Sequence, residues 1–142
     1  MKLKGSIIQR ALGNDPSVAA LQALIGTNIY GDEAFHTATR PYVTATITGT
    51  TNFTQSKASG NAPQIRDMRV EFQVYTVDGV TCDSILDALE AAFLEPVYFL
   101  TLDSPYSHIG LRFIDRHASF DATIPGGGWT GIFELAFKIT KN

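Results

Sequence analysis

His36, His108 and His117 are the residues most readily given a chemical role, as metal ligands or as partners of a nucleophile. None stands at metal-ligand spacing from another, and none shares a recognised His-containing motif with an acid. His108 follows Tyr106 and Ser107, yet no G-x-S-x-G elbow presents a serine, so His108 reads as a loop or surface residue. His117, in the run Asp115-Arg116-His117, is expected to supply edge or interface hydrogen bonds. The single cysteine, Cys82, excludes an internal disulfide and a cysteine-based metal cluster; it reads as a small buried hydrophobe on a helix. Gly126, Gly127 and Gly128 suggest a phosphate loop, but no lysine–hydroxyl pair follows. The next element is a strand, so no helix N-terminus would face an anion. Asp83, Asp87 and Glu90 read as solvent-facing helix residues, and no two carboxylates meet in a substrate-binding context. The expectation is a protein that is not an enzyme and uses no cofactor or metal.

The elements that position these residues follow from periodicity. The chain has 142 residues, 44% hydrophobic and 18% charged, which suits one domain over residues 1–142 with a real core. A formal net charge of −3 and scattered basic residues offer no stripe for tracking phosphates. No secretory signal is visible, and no stretch approaches the roughly 20 apolar residues that span a bilayer. Folding is therefore expected in the cytoplasm of the producing cell. Ile7, Ile8, Ala11 and Leu12 make a short helical stripe that Gly13 can end. Asp15 is placed to cap a second helix with Pro16 at its first position, and Val18, Leu21, Leu24 and Ile25 continue to a stop at Gly26. Residues 27–41 read as a connection with a brief extended piece near Ile29 and Tyr30. A third helix follows the Asp78-Gly79 turn, with Cys82, Ile85, Leu89 and Ala92 or Phe93 on one side.

Strands supply the rest. From Tyr42 to Gly49 the odd positions Val43, Ala45 and Ile47 are apolar and the even positions Thr44, Thr46 and Thr48 are hydroxylated. The polar stretch that follows is expected to be a flexible hairpin loop at about residues 52–64, carrying Phe53 and Lys57. Residues 65–76 form the returning strand, with Arg69, Glu71 and Gln73 on the face of the threonines. Residues 97–102 and 110–121 and a final strand from Trp129 complete an α+β fold. A single antiparallel or mixed sheet of four to five strands carries two to three helices packed on one face. The broad polar sheet face is either solvated or set against neighbouring subunits or a channel. Tyr98, Phe99, Phe113, Ile114 and Phe120 put bulk on both faces, more than one helical layer can cover, so an oligomer is expected. Interface candidates are Thr44, Thr46, Thr48, Phe53, Lys57, Arg69, Glu71, Gln73, Tyr98, Phe113 and Arg116.

The succession ALGNDPSVAALQALIGTNIYGD, RPYVTATITG and MRVEFQVYTVDGVTCDSILDALEAAF resembles the tail-completion, or tail-terminator, proteins of long-tailed bacteriophages. The likeness covers about residues 5–93, and the closing WTGIFELAFKI is similar to the family's final strand in general form. The resemblance implies a structural virion protein at the head-proximal end of the tail tube, assembled in the host cytoplasm. There it would form a hexameric ring, stop tube polymerisation and join the head. Its implied partners are further copies of itself, the tail tube protein and a head completion or connector protein, with DNA only passing through the lumen and no membrane. Another neck or connector ring, a tail tube subunit, and a small-ligand binding domain remain alternatives at this stage.

Overall fold

Asp15 and Gly26 bound the second helical segment as their chemistry requires. The Asp15 carboxylate accepts a hydrogen bond from the Ser17 amide, Pro16–Val18 form a turn of 3-10 helix, and Gly26 leaves the helix at φ 59°. The computed structural model describes residues 2–34, 38–54, 64–94, 100–124 and 126–141. In chain order the elements are α1 (Leu3–Ala11), α2 (Ala19–Ile25), β1 (Ile29–Gly31), β2 (Tyr42–Thr54), β3 (Gln64–Thr76), α3 (Gly79–Phe93), β4 (Tyr106–Asp121) and β5 (Gly128–Lys141). The Asp78 carboxylate accepts from the Thr81 amide and caps α3.

The five strands form one mixed sheet in the order β1-β2-β3-β5-β4. β1 runs parallel to β2, and every other pairing is antiparallel. All three helices lie on one face: α1 over β1 and β2, α3 over β5, β3 and β4, with α2 against α3. Val43, Ala45, Val70, Phe72, Val74, Phe133, Leu135, Phe137 and Ile139 point into this layer and meet Ile7, Leu21, Ile85 and Leu89. Each fully buried aliphatic or aromatic side chain contributes about 1.5–3 kcal/mol relative to exposure.

Three differences from the sequence reading follow from hydrogen bonding. The β2–β3 ladder continues through Asn52↔Arg66, Phe53↔Ile65 and Thr54↔Gln64, so the expected loop at 52–64 gives up four residues to strand. Residues 55–63, with Lys57, lie outside the described residues, as do the side chain of Phe53, His36, and the segment 95–99 with Tyr98 and Phe99. The polar composition of residues 52–54 and 64 concealed backbone groups that find partners across the hairpin. Leu100–Leu102, expected within an apolar strand, are not strand. β4 begins earlier than expected, at Tyr106, and carries two irregularities, between His108 and Gly110 and between Phe113 and Asp115. A third lies in β2 between Ile47 and Gly49. Each inserts one residue against β5 or β3 and so shifts which side chains share a face.

Candidate functional site

The sheet face away from the helices is built by β2, β3, β5 and β4. Thr46 stands opposite Glu71, and Glu71 opposite Glu134. The Thr48 hydroxyl donates to Glu134 Oε1 at 3.3 Å, and Arg69 Nε meets the same oxygen at 3.2 Å. The Gln73 amide donates to Glu71 at 2.6 Å, and the Tyr75 hydroxyl donates to Gln73. Tyr75 stacks on Tyr42 with centroids 4.7 Å apart, and Tyr30 meets Tyr42 edge-on. Burial, and then the neighbouring Tyr42, push the Tyr75 phenol above its ordinary pKa, which keeps it a donor. Toward β4, Arg112 reaches Asp67 at 3.8 Å. The candidates Thr46, Thr48, Arg69, Glu71 and Gln73 therefore share one hydrogen-bonded face. Thr44 belongs to the same row but is buried, in hydrogen-bond contact with Tyr75.

The second feature is the edge at β4. No strand pairs its outer side among the described residues. Ile109 is 43% exposed, Phe113 45% and Phe120 58%. Phe113 meets Phe133 edge-on at 6.1 Å and Phe120 meets Trp129 at 5.8 Å, so both rings lean on the core without being covered by it.

Arg116, on the edge strand β4, is engaged within the chain. Its guanidinium crosses to α3 and binds Asp87 Oδ1 at 2.7 Å and Glu90 Oε1 at 2.9 Å. The acids read as ordinary solvent-facing residues thus hold β4 to the helix. The partners lie 26 and 29 positions apart, and only the placement of β4 beside α3 brings them together.

His108 is a correction too. It is a strand residue only 6% exposed, not a loop or surface one. The Leu100 amide donates to its Nδ1 at 2.9 Å, which leaves Nε2 to carry the proton and donate to the Gly110 carbonyl at 2.7 Å. Both ring nitrogens are occupied by backbone, a use that no motif signals. Burial holds its pKa below the ordinary value. The unfolded chain therefore takes up a proton near pH 6.5 that the folded chain refuses. Stability should be level above about pH 7 and fall as the pH drops from about 6.5 through the lowered folded pKa. Urea unfolding at about pH 7.5 and about pH 5.5 should show this loss, and His108→Gln should flatten it. His117, exposed on β4, bonds Asp115 at 3.0 Å, as expected of an edge residue.

Among the described residues no group of three or more His, Cys, Asp or Glu side chains is gathered to hold a metal ion. Cys82 is buried and unbonded to another cysteine. Among them, no helix is long and apolar enough to cross a membrane. The arrangement is suited to docking through a hydrogen-bonding face and an apolar edge.

This fold has a solved counterpart. A chain of the structure described as "Virion of native gene transfer agent (GTA) particle" superposes with a TM-score of 0.66 at 19% identity. The match covers 97% of this chain and 94% of that one, which establishes a shared fold over nearly the whole of both. No family model matches the sequence, and no curated protein matches it.

Proposed function

We propose that this chain is a structural virion protein that closes into a ring at the head-proximal end of a phage-type tail tube. There it stops tube polymerisation and presents the joining surface to the head. The observation that carries this reading is the nearly full-length likeness to a chain of a gene transfer agent virion, in a protein with an open apolar strand edge. The resemblance in residues 5–93 supports the terminator position. A ring needs two different patches that meet, and β4 and β2 lie on opposite sides of one sheet. The polar face then rims the opening. Arg69 and Arg112 are each tied to a carboxylate there, which reduces the positive charge that the face offers to DNA phosphates. The hairpin tip, outside the described residues, is a candidate contact with tube subunits or the head connector.

The test is microscopy of particles assembled with and without the protein. Without it, tails should be overlong or unjoined, and purified protein should restore length and joining. Tails of normal length that still join heads would overturn the terminator role. Purified protein that polymerised alone into long tubes would mark it as a tube subunit instead.

A further inference from the structure

An apolar cleft and an exposed aromatic ring sit at opposite edges of this sheet, on the same side of it. The cleft lies where the start of α1 stands over β2 and β3. Leu3, Gly5, Ile47 and Met68 wall it and Lys2 and Lys4 rim it, around a volume of about 430 Å³. A cavity of about 150 Å³ already holds a benzene ring, so an aromatic side chain fits. Beside it, β2 has lost its neighbour: β1 pairs only with Val43, Thr44 and Ala45, and beyond them the outer edge has no partner strand among the described residues. At the far side of the sheet, Phe113 stands opposite Leu135 and touches Phe133, both core residues. Phe113 is therefore on the helix face, where about half of it is left uncovered.

We propose that the first half of β4, Tyr106–Phe113, of one copy adds to the free Thr46–Thr54 edge of β2 in the next, seating Phe113 in the cleft walled by Leu3, Ile47 and Met68. The irregularity between Phe113 and Asp115 then turns the rest of β4 away from the edge that β1 holds. This rests on the ring reading above and supplies its subunit contact. Three observations select a second copy of this chain as the occupant. The first is direction. β2, β3, β5 and β4 are linked by three antiparallel pairings, so β4 runs opposite to β2. Rotation about an axis along the strands preserves direction, so the new contact is antiparallel, the more stable kind. The second is sidedness. A sheet continued across the joint keeps all helices on one side, which carries Phe113 to the side where the cleft opens.

The third is charge. The flank of α3 toward β4 sets two carboxylates, Asp87 and Glu90, on the single guanidinium of Arg116, which also reaches the backbone carbonyl of Asp83. The flank of α1 at the cleft carries Lys2 and Lys4, the latter paired with Asp32. Joining β4 to β2 sets an acidic flank against a basic one. Joining β4 to β4 would set acid against acid, so the contact is heterologous rather than a two-fold dimer.

Two variants test this without entering the core. Phe113→Lys removes the knob from a half-exposed position. Gly5→Arg fills the hole, since a Cβ at Gly5 meets nothing within 4 Å, and arginine is the better helix former. Both should keep the wild-type circular dichroism and melting temperature and weaken self-association by at least about tenfold. In an equimolar mixture, the intact cleft of one variant can still take the intact Phe113 of the other. Sedimentation should then show monomers for each variant alone and a discrete dimer for the mixture. Folded variants that still close into rings, or a mixture without dimer where the wild type forms rings, overturn this contact and leave the ring reading standing. A wild type that stays monomeric even beside tail tubes overturns the ring reading itself.

Discussion

Gly131→Val is expected to cost about 3 kcal/mol or more, the upper end of what overpacking does. Gly131 lies in β5 where α3 crosses it, and a Cβ there would stand 2.9 Å from the Cys82 sulfur and 3.2 Å from a Leu86 methyl. Cys82 and Leu86 are four residues apart on the buried side of the helix, so they straddle the strand at its closest approach. Room for a branched side chain could come only from lifting α3, which would loosen Ile85 and Leu89 as well. Set against a total stability of about 5–15 kcal/mol, such a loss leaves little margin. Urea unfolding measures it. Gly131→Ala should cost about 1–3 kcal/mol, and adding Cys82→Ala should restore part of that, because removing the sulfur opens the space the methyl needs. Additive effects of the two changes would show that the close approach is not the cause.

Phe72→Ala is the second large effect, about 3–5 kcal/mol. Phe72 is fully buried at the centre of β3, with the Phe93 ring 5.1 Å and the Phe133 ring 6.0 Å from its own. Truncation removes the aromatic contacts and leaves a cavity between the sheet and α3 that rigid neighbours on both sides cannot close. The informative comparison is Phe113→Ala. The same chemical change at that half-exposed ring should alter monomer stability by only a few tenths of a kcal/mol. A denaturation midpoint that fell equally for both would mean that Phe113 belongs to the core of the single chain. It would then be poorly suited to docking.

Periodicity made much of this architecture legible. Val70, Phe72 and Val74 alternate with polar neighbours, Phe133, Leu135 and Phe137 take every second position of β5 opposite a mixed row of Ile132, Glu134, Ala136 and Lys138, and all six are buried as the period requires. The cap at Asp15 was readable because capping is local chemistry, whereas for α3 both Thr81 and Asp78 suited the role and the structure uses Asp78. The fifth strand, β1, was visible only as a brief extended piece, since three residues carry no period. The irregularities in β2 and β4 were not readable, because an inserted residue changes which face a side chain takes without changing composition. His108 escaped because its partners are a backbone amide and a backbone carbonyl, which leave no trace in residue types. The Arg116 clamp and the cleft at Gly5 depend on strand order, and β4 reaches the outside of the sheet only because β5 slips between it and β3. Of the candidate residues, the polar row was read from alternation. The partners of each side chain within it needed the register.

The shortness of β1 bears on more than sheet size. It ends at Gly31, and the Asp32 amide donates to the Ala45 carbonyl, so the chain itself occupies β2 up to that level. A strand sliding along β2 from the hairpin end meets a doorstop at Thr46. In the proposed contact, such a stop would act as a built-in ruler for the height at which one molecule meets the next. Three residues of backbone would thus separate a level circle from an endlessly climbing spiral.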